Sequence, residues 1–259
     1  MSPRTLQLVL HYDGAGFAGW QRQPDARTVQ GDMEQALTRL CGTPVPVLGA
    51  GRTDSGVHSR GQAAGVRVPD RWSSAELRRA LNAVLPDDIW VAASHEMRPE
   101  FHARYDAESR RYRYRVGMDE AAASPFRRRW EWDYRRTLTI GTLHQATAQL
   151  VGSHVFLAFA VRGTAPPDDD HRCIVRHAGW EEREGGLDFV IEANRFLHHM
   201  VRFIVGTLLD VASGRRPLAD IARLLQTTDN RQVSPPAPAH ALFLEQVKYP
   251  AHLYLDASA

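Results

Sequence analysis

Leu6, Leu8 and Leu10 alternate with Gln7, Val9 and His11, a period of two that predicts a half-buried strand. A helical stripe follows, with Thr28 as N-cap, Val29, Met33, Ala36, Leu37 and Leu40 on one face, and Gly42 as the stop. The mostly apolar run from Val45 to Ala50 and the alternating run from Gln62 to Val68 predict two strands. Ser73 with Glu76 forms a capping box for a helix that turns Leu77, Leu81, Val84 and Leu85 inward and closes at Pro86. Ile89, Val91 and Ala93 mark another strand.

The second part of the chain has a comparable string. Arg110 to Val116 alternates as a strand, with Tyr112, Tyr114 and Val116 on one face and Arg111, Arg113 and Arg115 on the other. A stripe of Ile140, Leu143, Ala146, Leu150 and Val151 predicts a helix from Thr139 to near Gly152. Strands are expected over Cys173 to Glu181 and Leu187 to Glu192. Asn194 is placed to cap a long helix through Phe196, Met200, Ile204 and Leu208, ending at Gly214. Pro217 opens a short helix, and a proline-rich connector, Ser234 to Pro238, leads to a last strand over Leu242 to Tyr249. The polar loop from Arg162 to Asp170 holds Pro166-Pro167 and three consecutive aspartates.

This order predicts an α+β fold: two similar α/β halves, residues 1–105 and 106–259, sharing a largely antiparallel central sheet flanked by helices. Alternating strands argue against a doubly wound parallel sheet.

Composition narrows the class. Hydrophobic residues make up 43% and charged residues 24%, which suits a sizeable core and excludes disorder. No apolar run reaches membrane-crossing length, and Leu6 to Leu10 is too short and polar for a signal peptide. Cys41 and Cys173 lie far apart without metal-ligand spacing, so a reducing cytoplasm without a structural disulfide is expected. The net charge of +2 is a weak argument for an anionic partner. Position says more: from Arg98 to Arg136 eleven arginines face seven acids, interleaved with eight aromatic residues. Such mixing suits nucleic acid, where phosphates take charge and unstacked bases take flat faces, but an ordinary strand with a solvated basic face has the same pattern.

The densest chemistry lies in Gly51-Arg52-Thr53-Asp54-Ser55-Gly56-Val57-His58, a tight loop between two strands with Asp54 near its tip. Alone it reads first as an Asx-type turn, since Asp and Gly are common turn formers. Tyr12 to Pro24 adds three glycines with Phe17 and Trp20, a flexible loop that either clamps a polyanion with exposed aromatics or is a surface turn. Its GxGxxG spacing has no βαβ context and is not a dinucleotide fingerprint. The twelve histidines make no HExxH or CxxC-type site, and no GxSxG elbow or P-loop occurs.

Six segments in order resemble the tRNA pseudouridine synthase A (TruA) family: the 51–58 loop, Tyr12 to Pro24, Phe101-His102-Ala103-Arg104, Arg111-Tyr112-Arg113-Tyr114, Phe196 to Arg202, and Pro236-Ala237-Pro238 with Leu242. The resemblance implies the pseudouridine synthase fold with an active-site cleft. It implies an isomerase converting uridine to pseudouridine at positions 38, 39 and 40 of the tRNA anticodon stem-loop, acting as a homodimer without cofactor or metal. It places the catalytic aspartate on Asp54, the active-site tyrosine on Tyr112 and the aspartate's arginine partner on Arg202. Arg52 and Arg104 fall on RNA-contact positions, and Phe101 and His102 beside the latter join them and Tyr112 as expected substrate-binding residues.

The chemistry fits those residue types. The C1′–N1 bond must break and C5 must join C1′. A carboxylate can trap or stabilise charge at C1′, or assist elimination at the sugar. An arginine partner favours the ionised carboxylate, and an aromatic face can hold a flipped base. The chain departs from the family pattern at Ser55, usually alanine, at Ala158-Phe159-Ala160, often Ser-Phe-Arg, at Ala241, usually glycine, and at Arg195, usually small.

Overall fold

Leu6, Leu8 and Leu10 are fully buried, and they continue inward through Tyr12, so the first alternating run becomes the centre of a sheet. The computed structural model describes residues 3–164, 168–227 and 229–255; Pro166 and Pro167 of the polar loop lie outside them. In chain order the strands are β1 (Arg4–Tyr12), β2 (Leu48–Gly49), β3 (His58–Val68), β4 (Ile89–Met97), β5 (Ser109–Gly117), β6 (Trp132–Asp133), β7 (Gly152–Val155), β8 (Arg172–Arg183), β9 (Gly186–Ala193) and β10 (Leu242–Lys248). The α-helices are α1 (Val29–Cys41), α2 (Ser74–Val84), α3 (Ile140–Ala148), α4 (Met200–Ala212) and α5 (Asp220–Leu224).

The chain forms two compact units, Met1–Ser109 with Phe243–Ala259, and Arg110–Leu242. The last strand thus joins the first unit rather than the half that precedes it in sequence. Its pairing explains this: β10 runs parallel to β3, with Phe243 opposite His58 and Leu244 opposite Ser59.

In the first unit β1 lies antiparallel between β3 and β4, and β2 pairs antiparallel with β3. Leu6, Leu8 and Leu10 form one cluster with Met33 and Leu37 of α1 and Leu77 and Leu81 of α2. The expected end signals of α1 operate. Thr28 Oγ1 accepts the Gly31 amide at 3.2 Å, and Gly42 ends the helix at φ 78°. The capping box of α2 is complete, with the Ser73 hydroxyl and the Glu76 carboxylate each accepting a backbone amide. The strand expected over 45–50 shrinks to Leu48–Gly49, whereas β3 begins at His58, directly after the aspartate loop.

In the second unit β5, β9, β8 and β7 follow one another antiparallel, and β6 pairs parallel with β5. Mixed α+β with largely antiparallel sheets is therefore the class of the fold. Trp180 on β8 donates its indole N–H to Thr147 Oγ1 of α3 at 2.8 Å, fixing that helix on the sheet. The long helix expected from Asn194 begins only at Met200. Asn194 spends its side chain on the sheet instead, where Oδ1 accepts the Ile174 amide at 2.8 Å. A turn then sets His199 at φ 60° before α4 starts.

Candidate active site

The backbone of β3 dictates where Asp54 stands. Ala50 donates its amide to Ala63 O at 2.8 Å, and Gln62 Nε2 donates to Gly51 O at 2.8 Å, so the chain leaves the sheet at a fixed point. Val57 donates to Asp54 O at 3.1 Å, closing a β-turn with Ser55 and Gly56 at its centre. Gly56 has φ 78°, a conformation glycine takes at no steric cost. Asp54 is half-buried at the head of this turn, and Arg52 is exposed beside it. Arg52 Nε donates to Gln21 Oε1 at 3.1 Å.

The glycine-rich segment after β1 holds this turn from behind. Trp20 donates its amide to Thr53 O at 3.0 Å, and the Tyr12 hydroxyl lies 2.8 Å from Thr53 Oγ1. Burial pushes the Tyr12 hydroxyl well above its ordinary titration range, so it stays a neutral hydrogen-bonding group. Ser55, the departure from alanine, donates its hydroxyl to Phe17 O at 3.2 Å and adds a tie between the two loops. Gly19 has φ 102°, and a Cβ there would lie 2.8 Å from Thr53 O. At the turn's far end His58, 1% exposed, accepts the Gly14 amide on Nδ1 at 2.9 Å, with the Asp13 carboxylate 3.1 Å from the same nitrogen.

Phe17 and Trp20 are 3% and 2% exposed. The segment is therefore neither an open aromatic clamp nor a plain surface turn: its rings go into the core, and its backbone braces the aspartate. Tyr12, Gly19, Thr53 and His58 all lie within the two motifs, but their part in holding the turn is one the motifs alone do not assign. Tyr12 carried a signal, since it extends the buried face of Leu8 and Leu10 by one more step of two.

In the second unit Tyr112 is buried in β5 opposite Ile191, its ring edge-to-face with Phe196 at 5.0 Å. Arg202, in the first turn of α4, is half-buried. Its Nε donates to Ala237 O at 2.7 Å, and its own carbonyl accepts the Ala237 amide at 3.0 Å. The Pro236-Ala237-Pro238 motif thus orients the guanidinium. Pro238 O in turn accepts the Tyr114 hydroxyl at 3.0 Å. Burial pushes that hydroxyl well up, while the Arg202 charge works in the other direction.

The arginine face of β5 is not a bare basic surface. Arg113 pairs with Glu181 at 2.6 Å and Asp188 at 3.1 Å, Arg115 approaches Asp188 at 3.8 Å, and Arg111 approaches Glu181 at 3.9 Å. Acids on β8 and β9, distant in sequence, absorb that charge.

Phe101 and His102 build the loop that carries Arg104. Phe101 is 5% exposed and packs edge-to-face on Tyr249 at 5.0 Å. His102 Nδ1 accepts the Arg104 and Tyr105 amides at 3.2 and 3.3 Å, and Asp106 Oδ2 accepts the His102 amide at 2.7 Å. Arg104 is exposed, with its guanidinium 5.6 Å from the centre of the exposed Tyr105 ring.

The other departures have local partners. Arg195 donates to Asp169 Oδ1 at 3.0 Å, which uses one of the three consecutive aspartates. Ala158, Phe159, Ala160 and Ala241 are all buried, so these positions serve the core here.

A carboxylate at the head of a turn braced by the Tyr12–Trp20 segment and by β3, in a mixed α+β frame, suits the class of enzymes that act through an acidic side chain. The comparisons make the class specific. A family model described as tRNA pseudouridine synthase matches residues 8–106 and 146–250. The tRNA pseudouridine synthase A of Latilactobacillus sakei is 37% identical over 247 residues, covering 95% of this chain and 99% of that protein. Those of Solidesulfovibrio magneticus and Geobacillus kaustophilus are 40% and 39% identical, each over 95% of this chain and over 91% and 95% of the relatives. The chain belongs to the tRNA pseudouridine synthase A family.

Proposed function

We propose that this protein isomerises uridine to pseudouridine in tRNA at positions 38, 39 and 40 of the anticodon stem-loop. The observation that carries the reading is the fixed presentation of Asp54, in a chain that belongs to this family. The reaction breaks C1′–N1, forms C1′–C5, moves one proton off C5 and returns one to N1, so mass is unchanged. The Asp54 carboxylate serves the sugar at C1′, either by bonding to it or by assisting elimination. Tyr112 offers the extruded base a flat face, since a base in the stack cannot be turned. Arg202, its guanidinium oriented by Ala237, is the arginine partner assigned to the aspartate. Arg52 and Arg104 meet phosphates, and Phe101 and His102 hold Arg104 in place. The protein acts in the cytoplasm as a homodimer and needs neither metal nor cofactor.

The test is product analysis with an unmodified tRNA transcript. Nucleosides of unchanged mass that elute as pseudouridine support the reading, with Asp54→Ala inactive. Release of free uracil means hydrolysis and refutes it. Sedimentation at micromolar concentration decides the dimer.

A further inference from the structure

Residues 107–145 lie outside the family match, and within them one segment combines order, charge and exposed aromatic surface. From Ser124 the backbone winds in successive turns: Arg127 and Arg128 donate their amides to Ser124 O at 2.9 and 2.8 Å, and Trp130 donates to Arg127 O at 2.8 Å. Arg127 points inward as the anchor. It donates to Asp119 at 2.8 Å, to the buried Glu131 at 2.6 Å and to Gly185 O at 3.3 Å. Its charge is spent on the fold.

The neighbours of Arg127 point the other way. Phe126 is 88% exposed, the most exposed large apolar side chain among the described residues. Arg128 and Arg129 are exposed, and the Arg129 guanidinium sits 5.0 Å from the centre of the Trp130 ring. Residues 126–136 hold five arginines and two acids, Glu131 and Asp133. Glu131 is taken by Arg127 and Arg183, and Asp133 by Arg135 at 2.6 Å. The loop is thus rigid, net positive and tipped with a ring that gains nothing from the fold.

We propose that Phe126, Arg128 and Arg129 form a contact surface for tRNA, with the guanidinium groups on phosphates and the Phe126 ring stacked on an unpaired base. The inference rests on the reading that tRNA is the substrate. Nucleic acid fits better than a second copy of the chain, because two exposed arginines following the exposed Phe126 in sequence suit a polyanion, whereas the same positive patch on a second copy would be repelled by it.

Binding of the intact protein to an unmodified tRNA transcript, followed by fluorescence anisotropy across a salt series, tests it. Phe126→Ala is expected to weaken binding about fivefold or more. Arg128→Gln with Arg129→Gln is expected to lower the slope of log affinity against log salt by about one to two. Both variants raise KM and leave kcat unchanged. Unchanged affinity and slope in both variants overturn the proposal. So does a Phe126→Ala variant that sediments as a smaller species yet binds tRNA as wild type, which makes the patch a contact between copies. Turnover by wild type on the same tRNA separates the two readings. Turnover with unaffected variant binding refutes this surface alone. Altered variant binding without any wild-type turnover supports the surface and refutes the activity.

Discussion

Gly19→Ala puts the bracing of Asp54 to the test. At φ 102° the residue lies where a side chain is strained, and its Cβ would stand 2.8 Å from Thr53 O, 3.3 Å from Asp54 C and 3.3 Å from Ser55 N. All three are backbone atoms, which cannot swing aside as a flexible side chain can. Strain of this kind costs about 1–3 kcal/mol, or a melting point lower by roughly 2–4 °C per kcal/mol for a chain of this size. The carboxylate suffers more than the fold, because the atoms displaced are its own backbone. A shift of about 1 Å in a reacting group costs on the order of 10²-fold in rate. Gly51→Ala is the matched control. A Cβ there meets nothing within 4 Å, and Gly51 is outside the left-handed region. That change should leave the rate alone and add about 0.4–1 kcal/mol by restricting the unfolded chain. Single-turnover pseudouridine formation with excess enzyme, alongside thermal melting, measures both. A folded Gly19→Ala protein reacting within twofold of wild type refutes the bracing, as does a Gly51→Ala protein that slows equally.

Tyr12→Phe keeps the buried ring but removes the hydroxyl from Thr53, costing about 1 kcal/mol, so a calorimetric scan should find a melting point lower by roughly 2–4 °C. Arg195 holds the Asp169 carboxyl below the usual carboxylate range. The stability this confers is complete above the unfolded value of about 3.9 and is lost as pH falls through the lower folded value. Melting points recorded from neutral pH down to acid should separate wild type from Asp169→Asn above that range and bring them together below it; a constant gap contradicts the assignment. Arg113→Gln should leave the salt slope of tRNA binding unchanged, since that guanidinium is engaged by Glu181 and Asp188. A slope lowered by about one would make Arg113 a phosphate contact.

Local signals in the sequence were sound where a short-range bond decides the structure. The Thr28 cap, the Gly42 stop and the Ser73–Glu76 box each act within four residues, and the alternation at Leu6 and at Tyr112 survives because a pleated strand has a period of two. What local pattern misjudged or left open was decided by bonds made at long range. Asn194 is a competent helix cap by composition, but the Ile174 amide, twenty residues away, takes its side chain. The arginines of β5 read by pattern either as a nucleic-acid face or as an ordinary basic strand face, and only the fold brings Glu181 and Asp188 up against them. Phe17 and Trp20 look mobile among glycines, yet both rings are buried. The last strand lies parallel to β3, a register no local pattern encodes. For the site, the family resemblance placed the candidate residues, whereas the brace around Asp54, joining Tyr12 to Thr53 and Gly14 to His58, needed the fold.

Asp54 as the group that acts on the uridine is the central claim. Its most direct test is carbodiimide-blocked primer extension on an unmodified tRNA carrying uridines at positions 38, 39 and 40, after incubation with wild type or Asp54→Ala. Stops within that stretch are expected for wild type and none for the variant, while the variant binds the tRNA with an affinity within about threefold of wild type, because the change removes chemistry and leaves the binding surface intact. Stops produced equally by Asp54→Ala, or a wild-type protein that binds the tRNA and leaves all three uridines unchanged, would contradict it.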